Sequence, residues 1–107
     1  MQFGYSETCL AHDTGDRHPE TADRLRAIRR ALAKRHGVSY VEADAADESS
    51  VTAVHGADYV DEISSFCDDG GGNWDPDTVA SEDTWDAALA SAGLSQWAAR
   101  EAADGAD

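Results

Sequence analysis

The first 43 residues show a hydrophobic pattern that predicts a strand, a helix and a second strand. Residues 2–6 are predicted as a short strand, and residues 38–43, which are rich in β-branched and aromatic side chains, as a second, with a polar loop over residues 7–20. Between them, three apolar residues recur on one helix face: Leu25, Ile28 and Leu32. Gly37 follows, where a glycine is expected to end the helix. A strand, crossover helix and strand in this order predict a parallel pair.

The second half predicts three helices and an irregular loop. Residues 49–66 read as two short helices divided at Gly56, and residues 68–78, with three glycines and an Asp-Pro-Asp turn, read as a loop without regular structure. Ser81 is expected to cap a long helix. That helix has four residues spaced toward one face: Trp85, Ala88, Leu89 and Ala92. The sequence is therefore of the α/β class.

Two strands form an incomplete layer. A parallel sheet is covered on both faces and has further strands beside it, and no third parallel strand is predicted here. We therefore interpret residues 1–107 as a single partial domain, the front section of a larger α/β domain.

The charge of the chain is strongly acidic. Its 107 residues include 22 Asp and Glu against 8 Lys and Arg, and the formal net charge is −14. Such a composition is typical of proteins that stay soluble in concentrated salt, where charge repulsion is screened. We predict a halophilic, cytoplasmic protein that loosens at low ionic strength.

The basic residues are concentrated in one segment. Seven of the 8 lie between residues 17 and 35, and Arg100 is the other. This segment could bind nucleic acid or pair with acidic groups of the same chain. The sequence pI of about 4.3 favours pairing within the chain.

Taken alone, the residues do not assemble a recognisable active site. Cys9 and Cys67 are expected to be reduced thiols, since the N-terminus does not resemble a signal peptide and no stretch is apolar enough for a membrane span. The histidines lack the spacing of a structural zinc site, and the Asp-x-His pair Asp16 and His18 is better interpreted as loop hydrogen bonding than as a metal site. The glycines at 70–72 lack the Lys and Ser/Thr of a phosphate-binding loop.

Four segments in order carry a resemblance to a known family. They are "FGYSETCLAH" (3–12), "HPETADRL" (18–25), "AVHGADYVDEI" (53–63) and "DPDTVASEDTWDAALASAG" (75–93). Together they resemble the N-terminal portion of the zinc-dependent histone deacetylase family, which includes acetoin-utilisation proteins and acetylpolyamine amidohydrolases. The resemblance implies the first part of an arginase/deacetylase-like fold.

The resemblance also implies roles for the segment that begins at His18. In the family, His-Pro-Glu-x-Pro-x-Arg-Leu starts the first long helix, and here the corresponding motif residues are His18, Pro19 and Glu20. Ala22 stands where the second proline is usual. Arg24 would line the internal channel through which acetate leaves, its cation attracting the product carboxylate. An Arg bonded to a carbonyl on an amphipathic helix is the alternative.

In the glycine-rich loop, the resemblance implies an aspartate that holds the substrate backbone at the rim of the active site. Counting back from Gly93 gives Asp77, with Asp75 close enough to compete, although either could simply cap the turn around Pro76. His55 and Tyr59 match a family "VH…Y" pattern and are expected to pack and hydrogen bond in the body of the domain. Trp74 could border the acyl-lysine entrance or shield the base of the loop.

The function implied is metal-assisted hydrolysis of acetyl-lysine or a related acyl-amine amide. The family's zinc ligands, tandem His pair and Tyr belong to sequence after the Ala-rich helix, so this chain alone is expected to bind no zinc and to be inactive. Its expected partners are the remainder of the domain and an acetylated protein or small acyl-amine, with no membrane. A different possibility is a stand-alone acidic halophilic interaction module without catalysis.

Overall fold

A computed structural model describes residues 1–105. Four strands and four α-helices follow one another along the chain, together with a short 3₁₀ helix. In order they are β1 (Gln2–Gly4), the 3₁₀ helix (Glu7–Ala11), α1 (Ala22–Ala33), β2 (Ser39–Val41), α2 (Glu48–Thr52), α3 (Ala57–Asp68), β3 (Gly71–Asp75), β4 (Thr78–Ser81) and α4 (Thr84–Ala103).

The β1–α1–β2 unit confirms the predicted parallel crossover. Phe3 of β1 pairs with Tyr40 of β2 in a parallel register. The Thr21 hydroxyl caps α1 by accepting a hydrogen bond from the Asp23 N–H. The predicted stop at Gly37 is wrong, because α1 ends at Ala33 and Gly37 follows in a turn with a φ of 79°. The predicted polar loop over residues 7–20 contains the 3₁₀ helix at its start.

The division of residues 49–66 into two helices is confirmed. Gly56 is the N-cap residue of α3, and Asp47 caps α2 by accepting a bond from the Ser50 N–H. The apolar face of α3 contributes the buried residues Val60 and Cys67.

The loop predicted for residues 68–78 is wrong, because most of it belongs to the β3–β4 hairpin. Asp75 pairs with Thr78 across a two-residue turn, and Asn73 pairs with Val79. Two steps along β3 thus match one step along β4, so Trp74 is the extra residue of a bulge.

The beginning of α4 also differs from the prediction. Ser81 does not cap this helix but ends β4, because it pairs with Gly71, and α4 starts at Thr84. On the predicted inner face, Ala88 is wrong because it is exposed, whereas Trp85, Leu89 and Ala92 are half-buried. The buried residues of α4 are small: Ala87, Ala90 and Gly93. Small residues allow the other elements to approach this helix closely.

α4 is the element on which the two halves of the chain meet. Gly4 of β1 lies against Leu94 and Trp97, so close that a Cβ there would stand 2.9 Å from the Trp97 ring. On the same helix, the Leu89 carbonyl accepts a hydrogen bond of 2.9 Å from the Ala46 N–H.

The buried core of the described residues is small. Its apolar members are Ala46, Val60, Cys67, Ala87 and Ala90. The accessible surface is 7277 Å², whereas a compact monomer of 11.4 kDa exposes about 5,800 Å². The shape is a flat slab of 42 × 33 × 18 Å. Helix α1 has no buried residue, and its Ile28 is 40% exposed. An apolar face of this slab is therefore uncovered.

Three of the basic residues pair with acidic residues of the same chain. These ion pairs are Arg24–Glu20, Arg26–Asp23 and Arg29–Glu7. Pairing within the chain is the interpretation that the pI favoured, and it therefore accounts for part of the basic segment.

Candidate functional site

A groove of about 490 Å³ lies where α3, the β3–β4 hairpin and the loop before α1 meet. Apolar side chains form most of its wall. Its polar residues include three histidines and two acidic residues: His12, His18, His55, Glu20 and Asp77.

His18 connects the loop before α1 to the hairpin turn. Its Nε2 lies 2.8 Å from the backbone oxygen of Asp77, and its Nδ1 accepts a hydrogen bond of 3.1 Å from the Glu20 N–H. A backbone N–H can only donate and a carbonyl can only accept. Neutral His18 with its proton on Nε2 satisfies both partners, so the two contacts define the tautomer.

Glu20 holds this arrangement with its backbone and its side chain. Its carbonyl accepts a 2.9 Å hydrogen bond from the hydroxyl of Thr14, which is 8% exposed. Its carboxylate accepts a 3.1 Å bond from Arg24, one helical turn later. Glu20 thus contacts both His18 and Arg24, which explains the spacing of these three residues in the sequence.

The two candidate aspartates have different surroundings. The Asp75 carboxylate accepts a 2.9 Å hydrogen bond from the Asp77 N–H and so closes the turn around Pro76. Asp77 has its N–H held by Asp75 and its carbonyl held by His18. Within residues 1–105 the Asp77 carboxylate makes no hydrogen bond, and it is exposed at the edge of the groove.

Aromatic rings form one wall of the groove. Trp74 packs edge-to-face against Phe66 at 5.2 Å and against Tyr59 at 6.5 Å between ring centroids. Tyr59 and Trp74 are 50% and 40% exposed. His55 lies 6.0 Å from the Tyr59 ring. Both His55 and Tyr59 are exposed at the surface of the groove, and their expected packing and hydrogen bonding in the body of the domain stay a prediction.

A polar network that the sequence analysis missed joins residues 11–13 to the start of α4. The Thr84 hydroxyl lies 2.7 Å from His12 Nδ1 and accepts a 2.7 Å bond from the Ser81 N–H. The Ser81 hydroxyl accepts a bond from the Asp13 N–H. The available signal was the Ser-x-x-Thr spacing of Ser81 and Thr84 just before the long helix.

Arg24 lies outside this groove, in a second cavity of about 510 Å³. That cavity is formed by apolar residues of β1, α1 and α4, among them Phe3, Leu25 and Leu94. The Arg24 side chain is 53% exposed and paired with Glu20.

Both cysteines are free thiols, of which Cys67 is buried and Cys9 is half-buried. Burial raises the pKa of Cys9, whose Sγ lies 3.8 Å from the Ala87 carbonyl. Burial also raises the pKa of Cys67, which is 0% exposed. A raised pKa reduces the thiolate fraction at neutral pH, so neither residue has the environment of a nucleophile.

The described part of the chain does not fit a metal ion. Across residues 1–105, no three His, Cys, Asp or Glu side chains are grouped to hold one. Both ring nitrogens of His18 are occupied by backbone groups, which removes the Asp16–His18 pair as a ligand set. In the same residues, no helix combines the length and hydropathy needed to cross a bilayer.

Comparison with known proteins gives consistent matches. Residues 18–107 match the family model of the histone deacetylase domain. The Synechocystis sp. protein slr0245 is 32% identical over 90 residues, which cover 78% of this chain and 30% of that protein. The crystal structure of the HDA15 HD domain superposes with a TM-score of 0.81 at 28% identity, covering 92% of this chain and 31% of that one. The chain thus spans about a third of these relatives.

Proposed function

This chain belongs to the histone deacetylase domain family, and we propose that it forms the N-terminal part of an amide hydrolase. Its substrate class would be acetyl-lysine in a protein or a small acylated amine. The zinc-dependent chemistry of such an enzyme would depend on residues outside this chain, because the residues described here do not fit a metal site. The segment alone would then be inactive.

The observation that carries this proposal is the match of residues 18–107 to the family model, together with the superposition on the HDA15 HD domain. The uncovered apolar face supports the same conclusion. The slab exposes roughly 1,500 Å² more surface than a compact monomer of its mass would. We propose that the rest of the catalytic domain covers this face.

We propose that Asp77, rather than Asp75, holds the substrate at the rim. A carboxylate that binds substrate N–H groups needs lone pairs that are not already engaged. The Asp75 carboxylate is engaged with the Asp77 N–H, whereas that of Asp77 lies exposed beside the aromatic wall. Trp74 and Tyr59 would border the apolar part of the substrate.

We propose that Arg24 attracts the product carboxylate from the second cavity. Its position beside apolar residues of β1 and α4 puts a cation next to a space that would be enclosed once the face is covered.

The protein would act in the cytoplasm, as the charge composition suggests.

A chimera tests the proposed activity. Residues 1–105 would replace the matching segment of the Synechocystis relative, and hydrolysis of an acetyl-lysine peptide and of an acetylated small amine would be measured with Zn²⁺. We expect turnover by the chimera and none by the 107-residue chain. The unaltered relative is measured in the same assay as the reference for the chimera. Turnover by the isolated chain would contradict its predicted inactivity, and a folded chimera that is inactive beside an active relative would contradict the assignment.

Asp77→Ala and Asp75→Ala in this chimera test the rim assignment. Asp77→Ala should raise KM without lowering the stability of the fold, because its carboxylate makes no bond within the described chain. Asp75→Ala should lower stability as well, because it opens the turn. Exposed Asp69→Ala is the control. Equal KM effects without any difference in stability would refute the distinction.

A further inference from the structure

His18 has an arrangement that neither its family motif nor the proposed chemistry explains. It is half-buried in the groove wall, and both ring nitrogens face backbone groups from different parts of the chain. An imidazole held in this way is fixed in position, in rotation and in tautomer.

The target of this fixed ring is the peptide group of Asp77. Asp75 holds the Asp77 N–H at 2.9 Å, and His18 holds the Asp77 carbonyl at 2.8 Å. The backbone at Asp77 is thereby restrained on both sides, while its carboxylate remains exposed. In an exposed two-residue turn, no packing supplies such restraint.

The other nitrogen of His18 gives the ring its direction. The Glu20 N–H donates to Nδ1, and Glu20 is itself held by the buried Thr14 hydroxyl and by Arg24. The order His-Pro-Glu therefore presents an Nε2–H donor toward the hairpin from a rigid support. Restraint of this kind lowers the entropy lost when a carboxylate engages a ligand.

From these contacts we infer that His18 is a positioning residue, which aims the Asp77 carboxylate through the Asp77 backbone and touches no substrate itself. This inference rests on the proposed function for the role of Asp77. The tautomer and the restraint of the turn are properties of the chain and do not depend on activity.

Two substitutions separate the two contacts of the ring. In His18→Gln, the amide nitrogen can reach the position of Nε2 and donate to the Asp77 carbonyl. In His18→Asn, the shorter amide can accept from the Glu20 N–H but cannot reach Asp77. Glutamine should therefore rescue the function of the ring, and asparagine should not.

The first measurement uses NMR on the 107-residue chain. Long-range ¹H–¹⁵N spectra should show His18 neutral with the proton on Nε2. Amide exchange at Asp77 should be slow in the wild type and in His18→Gln, and faster in His18→Asn. A proton on Nδ1, or equal exchange in all three proteins, would overturn the inference.

The second measurement is a double-mutant cycle on KM in the active chimera. Loss of one hydrogen bond predicts a rise in KM of about three- to tenfold for His18→Asn, with little change in kcat. In an Asp77→Ala background the same substitution should have no further effect. Additive effects would show a general structural role and would overturn the inference. An inactive chimera would count against the proposed function, while the NMR measurement would still decide the restraint.

Discussion

Single residues decide how closely the elements of this protein approach one another. Gly93 lies in the middle of α4, where a Cβ would collide with the Asp44 carbonyl and stand 2.9 Å from the Ala45 Cα. Sequence analysis placed Gly93 at the end of an Ala-rich helix motif but could not give this reason, because the contact joins segments far apart in the chain. For Asp77, the sequence did predict the turn around Pro76. It could not predict the contact of Asp77 with His18, which is distant in the chain.

Gly93→Ala should destabilise the fold. The added methyl group meets backbone that cannot rotate away, and such overpacking costs about 1–3 kcal/mol, which exceeds the helix propensity of about 1 kcal/mol gained from alanine. Urea unfolding of the chain would measure the loss. Gly56→Ala is the matched control, since its φ is −60° and a Cβ there meets open space. Equal stabilities of the two variants would contradict the packing at α4.

The capping residue Asp47 should make the stability of α2 depend on pH. Bonds from the Ser49 hydroxyl, the Ser50 hydroxyl and the Ser50 N–H hold the pKa of Asp47 below its usual range. Because the pKa is lower in the folded state, the stabilising contribution is present above the unfolded-state pKa and is lost as the pH falls through the folded-state value. The carboxyl ¹³C titration would follow this change.

Ser49→Ala is the control for Asp47, since it removes the largest cause of the shift. The Asp47 pKa should then move up toward its usual range. An unchanged titration would show that the Ser49 hydroxyl does not contribute.

At the scale of elements, the sequence predicted those that have a local signal, including the parallel β1–β2 pair and the break between α2 and α3 at Gly56. It missed the β3–β4 hairpin, because Gly71 and Gly72 have low strand propensity and adopt φ values of 75° and 134°. Cross-strand pairing and the bulge at Trp74 stabilise this hairpin, and neither is a local property. The Asp-Pro-Asp-Thr sequence was the signal for its turn.

Arg29 joins α1 to the parallel strand pair, and its removal should loosen that unit. The guanidinium lies 4.5 Å from the Tyr5 ring centroid and 5.3 Å from that of Tyr40, and it donates to Glu7 at 2.7 Å. Arg29→Ala should therefore lower the midpoint of thermal unfolding. Arg26→Ala is the matched control, because Arg26 also forms a 2.7 Å ion pair, with Asp23, but lies over no aromatic ring of residues 1–105. A smaller loss for Arg29→Ala than for Arg26→Ala would contradict the role of the rings.

For the whole molecule, charge and shape act in the same direction. A net charge of −14 repels itself, and a slab 18 Å thick buries too few apolar side chains to oppose that repulsion strongly. The charge repulsion could be predicted from the composition alone. The shallow burial could not, because an uncovered helix face such as that of α1 has the same sequence pattern as a covered one.

Added KCl should raise the thermal stability of the chain. The Debye length falls from about 10 Å at 0.1 M to about 3 Å at 1 M, so repulsion between surface carboxylates is progressively screened. Circular dichroism melts across this range would measure the effect. A variant with Asp58→Asn, Asp61→Asn and Glu62→Gln on the exposed side of α3 should show a shallower increase. No increase in the wild type would refute the halophilic interpretation.

The contact of Gly4 with Leu94 and Trp97 has a consequence for the order of folding. Nearly the whole described sequence separates β1 from the helix that covers it, so this long loop closes only after α4 has been synthesised. While the nascent chain emerges from the ribosome, β1 appears before β2, β3 and β4 and is thus the one of these four strands that waits longest for its cover. Chaperone binding at the β1 segment of stalled nascent chains should accordingly persist until Trp97 leaves the exit tunnel.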